Sequence, residues 1–253
     1  MTGKRALLSI RPKIDAEVPE AAMVLSAGLG RRMRPLTATR PKPLIQVRGR
    51  PMIDYALDTL ARGGVRRAVV NVHYLPDQIE AHVKRLKGPL DISLSDERQA
   101  LLETGGGTKK ALDLLDADAF VVTNSDNILR DGPVDTLSLL GRSWDPERMD
   151  ALLLLVPLSK AHGYDGFGDF TMARSGELAR RKGRSLAPFV YSGTQIVKRS
   201  VFRDTPDGKF SFNVIFDRLL AEGRLYGAAH AGDWFHVGTP DAVGRTEALL
   251  AGD

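Results

Sequence analysis

Ala22-Met23-Val24-Leu25-Ser26-Ala27-Gly28-Leu29-Gly30-Arg31-Arg32-Met33-Arg34-Pro35-Leu36-Thr37 is the stretch on which the reading of this chain turns. Its first residues form a short apolar run that stops at two glycines, the pattern of a buried strand that hands the chain to a loop. Cations follow: Arg31, Arg32, Arg34, Arg40, Lys42, Arg48 and Arg50, with no carboxylate anywhere between Gly28 and Ile53. That local charge of +7 exceeds the +5 of all 253 residues. Glycines allow backbone N–H groups to close around an anion, and each guanidinium adds several donors. Lys42 stands between Pro41 and Pro43, whose locked φ stiffens the chain around it. A solvated basic loop would account for the charge alone. Glycine spacing, repeated arginine and the Pro-Lys-Pro clamp together point to a bound polyphosphate.

Outward from this loop, strands and helices alternate. Apolar residues at helical spacing predict a helix over 51–62, closed by Gly63-Gly64, and another over 77–86. Strands are predicted at 67–73, 91–94 and 119–123, and a helix over 108–115 that opens on Gly105-Gly106-Gly107. After about residue 150 the strands shorten: 151–156, 168–173, 190–197, 224–229 and 233–237, broken by helices over 212–221 and 240–251. This rhythm argues for an α/β protein, a mostly parallel, mixed sheet with helices on both faces in three Rossmann-like layers. Residues 1–20 read as a flexible extension, and 21–253 as one domain in two halves, 21–130 and 131–253.

Composition excludes much. There is no cysteine, so disulfides, thiolate metal sites and cysteine nucleophiles are out. The longest apolar run, Ala151–Val156, stops at Pro157, far short of a membrane span. The N-terminus has too short an apolar core for a signal peptide, so a cytoplasmic protein with no membrane partner is expected. The basic loop carries no aromatic residue on which bases could stack, which argues against nucleic acid. A dinucleotide-binding dehydrogenase is the rival for a glycine loop. Here Gly-x-Gly-x-x is followed by Met33, so the third glycine of that fingerprint is missing.

The run Leu25–Thr37 followed by Pro41-Lys42-Pro43-Leu44 resembles the signature of the sugar-1-phosphate nucleotidyltransferases, and about twenty positions agree in spacing and identity. Glu103-Thr104-Gly105-Gly106-Gly107, Asn124-Ser125-Asp126, Gly168-Asp169-Phe170, Ser192-Gly193 and Trp234-Phe235-His236-Val237-Gly238-Thr239 continue the likeness to about residue 250. Within the family, the Leu-Glu-Thr-Gly-Gly-Gly and Gly-Asp-Phe forms most resemble the N-acetylmuramate-1-phosphate uridylyltransferases of cell-wall recycling. Guanylyltransferases for mannose- or heptose-1-phosphate share most of the scaffold.

The resemblance implies a nucleotide-diphospho-sugar transferase fold and a reaction of a nucleoside triphosphate with a sugar-1-phosphate that releases pyrophosphate, in a monomer or homodimer. It implies that Arg32 braces the β- and γ-phosphates, that Lys42 contacts a phosphate, and that Ala27, Gly28 and Gly30 admit the triphosphate. Gly106 and Gly107 would pack on base and ribose, with Glu97 or Gln99 reading the base edge. Gly168, Asp169, Ser192 and Asn213 would line the sugar phosphate, which makes 21–130 the nucleotide-binding half and 131–253 the sugar-phosphate-binding half. Asp126 would coordinate Mg²⁺, or Mn²⁺ in its place. One departure stands out: most relatives carry aspartate where this chain has His236, and a neutral imidazole suits transition metals better than Mg²⁺. His236 as a ligand, Asp233 in its stead, one carboxylate plus substrate phosphates, or an impaired site that only senses nucleotide sugars are the alternatives. Asp233 is three residues away, so on a strand it points to the opposite face. The Glu-Lys-Pro motif that many relatives direct at the sugar has no counterpart.

Overall fold

The computed structural model describes residues 17–251, so the expected extension lies largely outside the described residues. In chain order the strands are β1 (Ala21–Leu25), β2 (Gln46–Val47), β3 (Arg50–Pro51), β4 (Arg67–Val72), β5 (Asp91–Asp96), β6 (Ala119–Asn124) and β7 (Asn127–Arg130). They continue as β8 (Ala151–Pro157), β9 (Ala161–His162), β10 (Phe170–Met172), β11 (Leu178–Arg180), β12 (Phe189–Lys198), β13 (Leu225–Ala229) and β14 (Asp233–His236). Helices are α1 (Met52–Arg62), α2 (Pro76–Val83), α3 (Glu103–Lys110), α4 (Leu112–Leu115), α5 (Thr136–Ser143), α6 (Asn213–Ala221) and α7 (Pro240–Ala251).

The main sheet runs β5-β4-β1-β6-β12-β8-β13, with β10 and β11 continuing beside the start of β12. β5, β4, β1 and β6 are parallel, as are β8 and β13, while β12 runs against both β6 and β8. The sheet is therefore mixed. β1 lies near its centre, and alternation sends its side chains to both faces: Met23 into one core with Phe120, Val122 and Phe216, Val24 into the other with Leu57, Val70 and Leu154. Residues 17–20 are not detached from this body, because Val18 packs against the second core.

Two helical expectations shift. α2 covers Pro76–Val83 instead of 77–86. The triple glycine does not open a helix but lies inside α3. Glycine is a poor helix former, and packing outweighs it here. The N–H groups of Gly105 and Gly106 both reach the Phe210 carbonyl, at 2.9 and 3.0 Å. A Cβ on Gly106 would stand 2.0 Å from the Gly208 carbonyl oxygen. α5 escaped the periodicity search, yet it carries an N-cap: the Asp135 carboxylate accepts from the Ser138 N–H at 2.9 Å. β7 was also missed. It begins directly after the Ser125-Asp126 turn and pairs with β14, His236 opposite Asn127, in a small separate sheet with β9.

Candidate active site

A parallel sheet gathers loop backbone at the carboxyl ends of its strands, and the cleft of this protein opens there. About 370 Å³ in volume, it is lined by the glycine loop (Ala27, Gly28, Gly30), Lys42, Thr104 of α3, and Asn124 to Asp126 at the end of β6. The loop is tied down at both ends. At its start the Ser26 N–H donates to Asn71 Oδ1 at 2.7 Å and the Ser26 hydroxyl to the Asn71 carbonyl at 2.6 Å. At its far end the Thr37 hydroxyl donates to the Gly30 carbonyl at 2.9 Å, and the Tyr74 hydroxyl to the Thr37 carbonyl at 2.8 Å. Gly30 has φ +59°, and a Cβ there would meet Thr37 Cγ2 at 2.9 Å, so only glycine fits. Gly28 is exposed, and a Cβ on it would touch nothing within 4 Å. Its bareness is not needed by the protein's own packing.

Lys42 opens a short 3₁₀ turn and reaches across the cleft to ion-pair with Asp126. Burial pushes the Asp126 carboxyl up, but Lys42 outweighs it, helped by His236, and the group titrates below the usual carboxylate range. His236 is half-buried beside this pair. Burial lowers its imidazole pKa, Asp126 works the other way, and Lys42 and Arg32 add to the lowering, so the ring is neutral near pH 7. Arg32 and His236 also line a neighbouring cavity of about 440 Å³ with Tyr164, Asp165 and Gly166. Arg31, Arg32, Arg34 and Arg40 are exposed and make no ion pair among the described residues. Arg32, beside His236, thus brings an unpaired positive charge next to the cleft.

Other expected site residues are placed differently. Glu97 is 1% exposed and is not presented to the cleft. Its carboxylate accepts from Asn71 Nδ2 at 2.7 Å and from the Leu102 N–H at 3.1 Å, so it orders the loop before α3 and cannot reach a base. Gly106 and Gly107 are buried against Gly208, Glu97 and Asn71 and are not among the residues that line the cleft. Thr104 and the half-exposed Glu103 line the cleft instead. Ser192 is buried, and its hydroxyl donates to the Leu154 carbonyl at the irregularity in β12. Gly168 is buried with φ +76°, a Cβ there lying 2.2 Å from the Ala187 carbonyl. The Asp169 carboxylate accepts from the Tyr191 N–H at 2.9 Å, and Asn213 Oδ1 from Arg180 at 3.0 Å. Gly193 meets the Asn124 amide closely enough that a Cβ would clash at 2.2 Å, which joins this acceptor side to the end of β6. Asp233 faces away from His236, bonded to His162 at 2.8 Å and Arg130 at 2.7 Å, and does not replace it. Asn71 was missed. Its signal was a polar residue inside the otherwise apolar strand at 68–72.

For a divalent ion the donor set is thin but usable. No group of three His, Asp or Glu residues suited to a metal occurs among the described residues. Asp126 offers one carboxylate at the cleft and His236 one nitrogen beside it. Mg²⁺ is commonly held by one or two carboxylates with substrate phosphates and water, which this arrangement fits.

The amides of a strand-end glycine loop and the charge of Lys42 suit a bound polyphosphate, and comparison with known proteins gives the class, a nucleotidyl-transferring α/β enzyme. Residues 21–168 match the family model of the nucleotidyl transferases. The chain is 44% identical over 239 residues to N-acetylmuramate alpha-1-phosphate uridylyltransferase of Caulobacter vibrioides, covering 93% of this chain and 99% of the relative. It is 34% identical to the enzyme of the same name from Neisseria meningitidis, over 90% of this chain and 97% of that one. Mannose-1-phosphate guanylyltransferase of Mycobacterium tuberculosis is 28% identical, with 90% of this chain covering 64% of it. The fold is shared with HddC from Yersinia pseudotuberculosis, solved with GMP-PN (TM-score 0.73, 23% identity, 91% of this chain and 99% of that one). This protein belongs to the sugar-1-phosphate nucleotidyltransferase family.

Proposed function

We propose that this enzyme transfers the uridylyl group of UTP to N-acetylmuramate α-1-phosphate, forming UDP-N-acetylmuramic acid and pyrophosphate, as a cytoplasmic step of peptidoglycan recycling. The observation that carries the reading is the Lys42–Asp126 pair at the glycine-loop cleft, in a chain 44% identical to an enzyme of that name. An oxygen of the sugar phosphate attacks the α-phosphorus in line with the departing pyrophosphate. Because that oxygen is already ionised, no general base is needed, and the protein's task is to position the partners and neutralise charge. The amides around Gly28 and Gly30 receive the triphosphate. Arg32, free of any carboxylate, stabilises the leaving pyrophosphate. Lys42 leaves Asp126 for a phosphate oxygen, and Asp126, with His236 beside it, would hold a divalent ion. When bound, that ion, Mg²⁺ or Mn²⁺, offsets negative charge on the triphosphate.

The test is pyrophosphate release with UTP, GTP and CTP against N-acetylmuramate-, N-acetylglucosamine- and mannose-1-phosphate. Preference for UTP with N-acetylmuramate-1-phosphate is expected. Preference for GTP with mannose-1-phosphate would make it a guanylyltransferase. Nucleotide-sugar binding without turnover under either metal would make it a sensor.

A further inference from the structure

Phe167 and Leu186, 59% and 67% exposed, are the two most exposed large apolar side chains among the described residues. Their segments run side by side, since the Ala187 N–H donates to the Phe167 carbonyl at 2.8 Å. The same spot carries Arg181, Lys182 and Arg184, none of which makes an ion pair among the described residues. Arg181 is not loose. Its Nε donates to the Gly168 carbonyl at 3.0 Å, its Nη1 to the Gly183 carbonyl, and its guanidinium lies 6.0 Å from the Phe167 ring centre. Its own N–H donates to the Asp169 carbonyl at 2.8 Å. A guanidinium oriented by carbonyls keeps its charge and lacks an acid, which leaves it ready for one. The patch adjoins the cavity beside the active-site cleft, because Tyr164 to Gly166, directly before Phe167, line that cavity with Arg32 and His236, and Arg181 acts electrostatically on Tyr164.

We propose that Arg181, supported by Lys182 and Arg184, binds a carboxylate carried by the acceptor sugar, while Phe167 and Leu186 cover the apolar carbons that bear it. This rests on the sugar-1-phosphate reading above and adds a second negative charge, besides the phosphate, as a determinant of acceptor choice. Exposed apolar side chains beside unpaired cations suit a short alkyl carboxylate, and a neutral sugar would leave both idle.

Steady-state turnover and competition binding are compared for N-acetylmuramate-1-phosphate against N-acetylglucosamine-1-phosphate, which differ only in the carboxylate-bearing ether arm. In Arg181→Leu, the ratio of kcat/KM for the acidic over the neutral member should fall tenfold or more through KM. Arg181→Lys should restore part of it, and Lys182→Ser/Arg184→Ser should lower it less. An equal loss for both members would make Arg181 merely structural and overturn the assignment. So would a wild type that binds neutral members as well as acidic ones, or one that binds anionic vesicles while the acceptor ratio stays unmoved in the variants. Should the wild type bind N-acetylmuramate-1-phosphate without turning it over, the proposed reaction falls, and competition binding of the same pair still decides the arginine; no preference for the acidic member in binding overturns the assignment.

Discussion

Arg32 and Gly28 show how one residue can serve the ligand and not the fold. Arg32 is exposed and has no ion-pair partner among the described residues, so nothing in the protein explains its place in the loop. Arg32→Ala should lower kcat by about 10²-fold or more, as loss of a charge-stabilising donor does, with the thermal midpoint unchanged; steady-state pyrophosphate release and a melting curve check both. Gly28→Ala tests the backbone. Its Cβ meets no protein atom within 4 Å, so stability should hold within about 0.5 kcal/mol. The methyl would occupy the space in which the triphosphate closes on the loop, so titration calorimetry with UTP should show binding weakened about tenfold or more, or about 1.4 kcal/mol.

α3 shows glycines of a motif engaged by the protein's own packing. The sequence places Gly105-Gly106-Gly107 at the opening of a helix, with Gly106 and Gly107 expected on base and ribose; in the fold all three are buried inside α3, and Thr104 and Glu103 line the cleft. A methyl on Gly106 gains helix propensity of about 1 kcal/mol. Against that it meets the Gly208 carbonyl at 2.0 Å, a backbone atom that cannot swing away. Gly106→Ala should therefore lose about 1–3 kcal/mol net or more, seen as a lower urea midpoint. Gly30→Ala should likewise cost stability, because φ +59° is strained for alanine. The contrast with Gly28 separates glycines kept for the fold from those kept for the ligand.

At the scale of the molecule, two carboxylates tie distant parts of the chain and make stability depend on pH. Burial would raise Asp233, but the hydrogen bond from His162 and the Arg130 guanidinium win and hold it at about 2. Asp150 is lowered by Arg224, in spite of its burial, with Lys198 adding to the effect. A depressed carboxyl stabilises the fold fully above its unfolded value near 3.9 and loses that contribution as pH falls through the folded one. Denaturant midpoints should thus be steady from pH 7 to about 5 and fall between about 4 and 2. Asp233→Asn should be less stable at pH 7 by on the order of 2 kcal/mol and should show a shallower acid slope. An equally steep slope in that variant would locate the acid sensitivity elsewhere.

Where local chemistry is decisive, the amino-acid sequence alone was enough. The apolar strand, the glycine loop and its seven cations follow from residue types at short range, and β1, α1 and α7 stand where periodicity puts them. The pairing of Lys42 with Asp126 across 84 residues was not legible: family likeness put the one on a phosphate and the other on a metal ion. Periodicity carries no distance between elements. Tertiary structure alone decided which polar groups are consumed by the protein itself. Glu97, Gly106 and Ser192 look like ligand contacts in a string of letters. In three dimensions they are filled by Asn71, Gly208 and Leu154, because a buried polar group or a tight backbone approach is satisfied by whatever lies nearest in space.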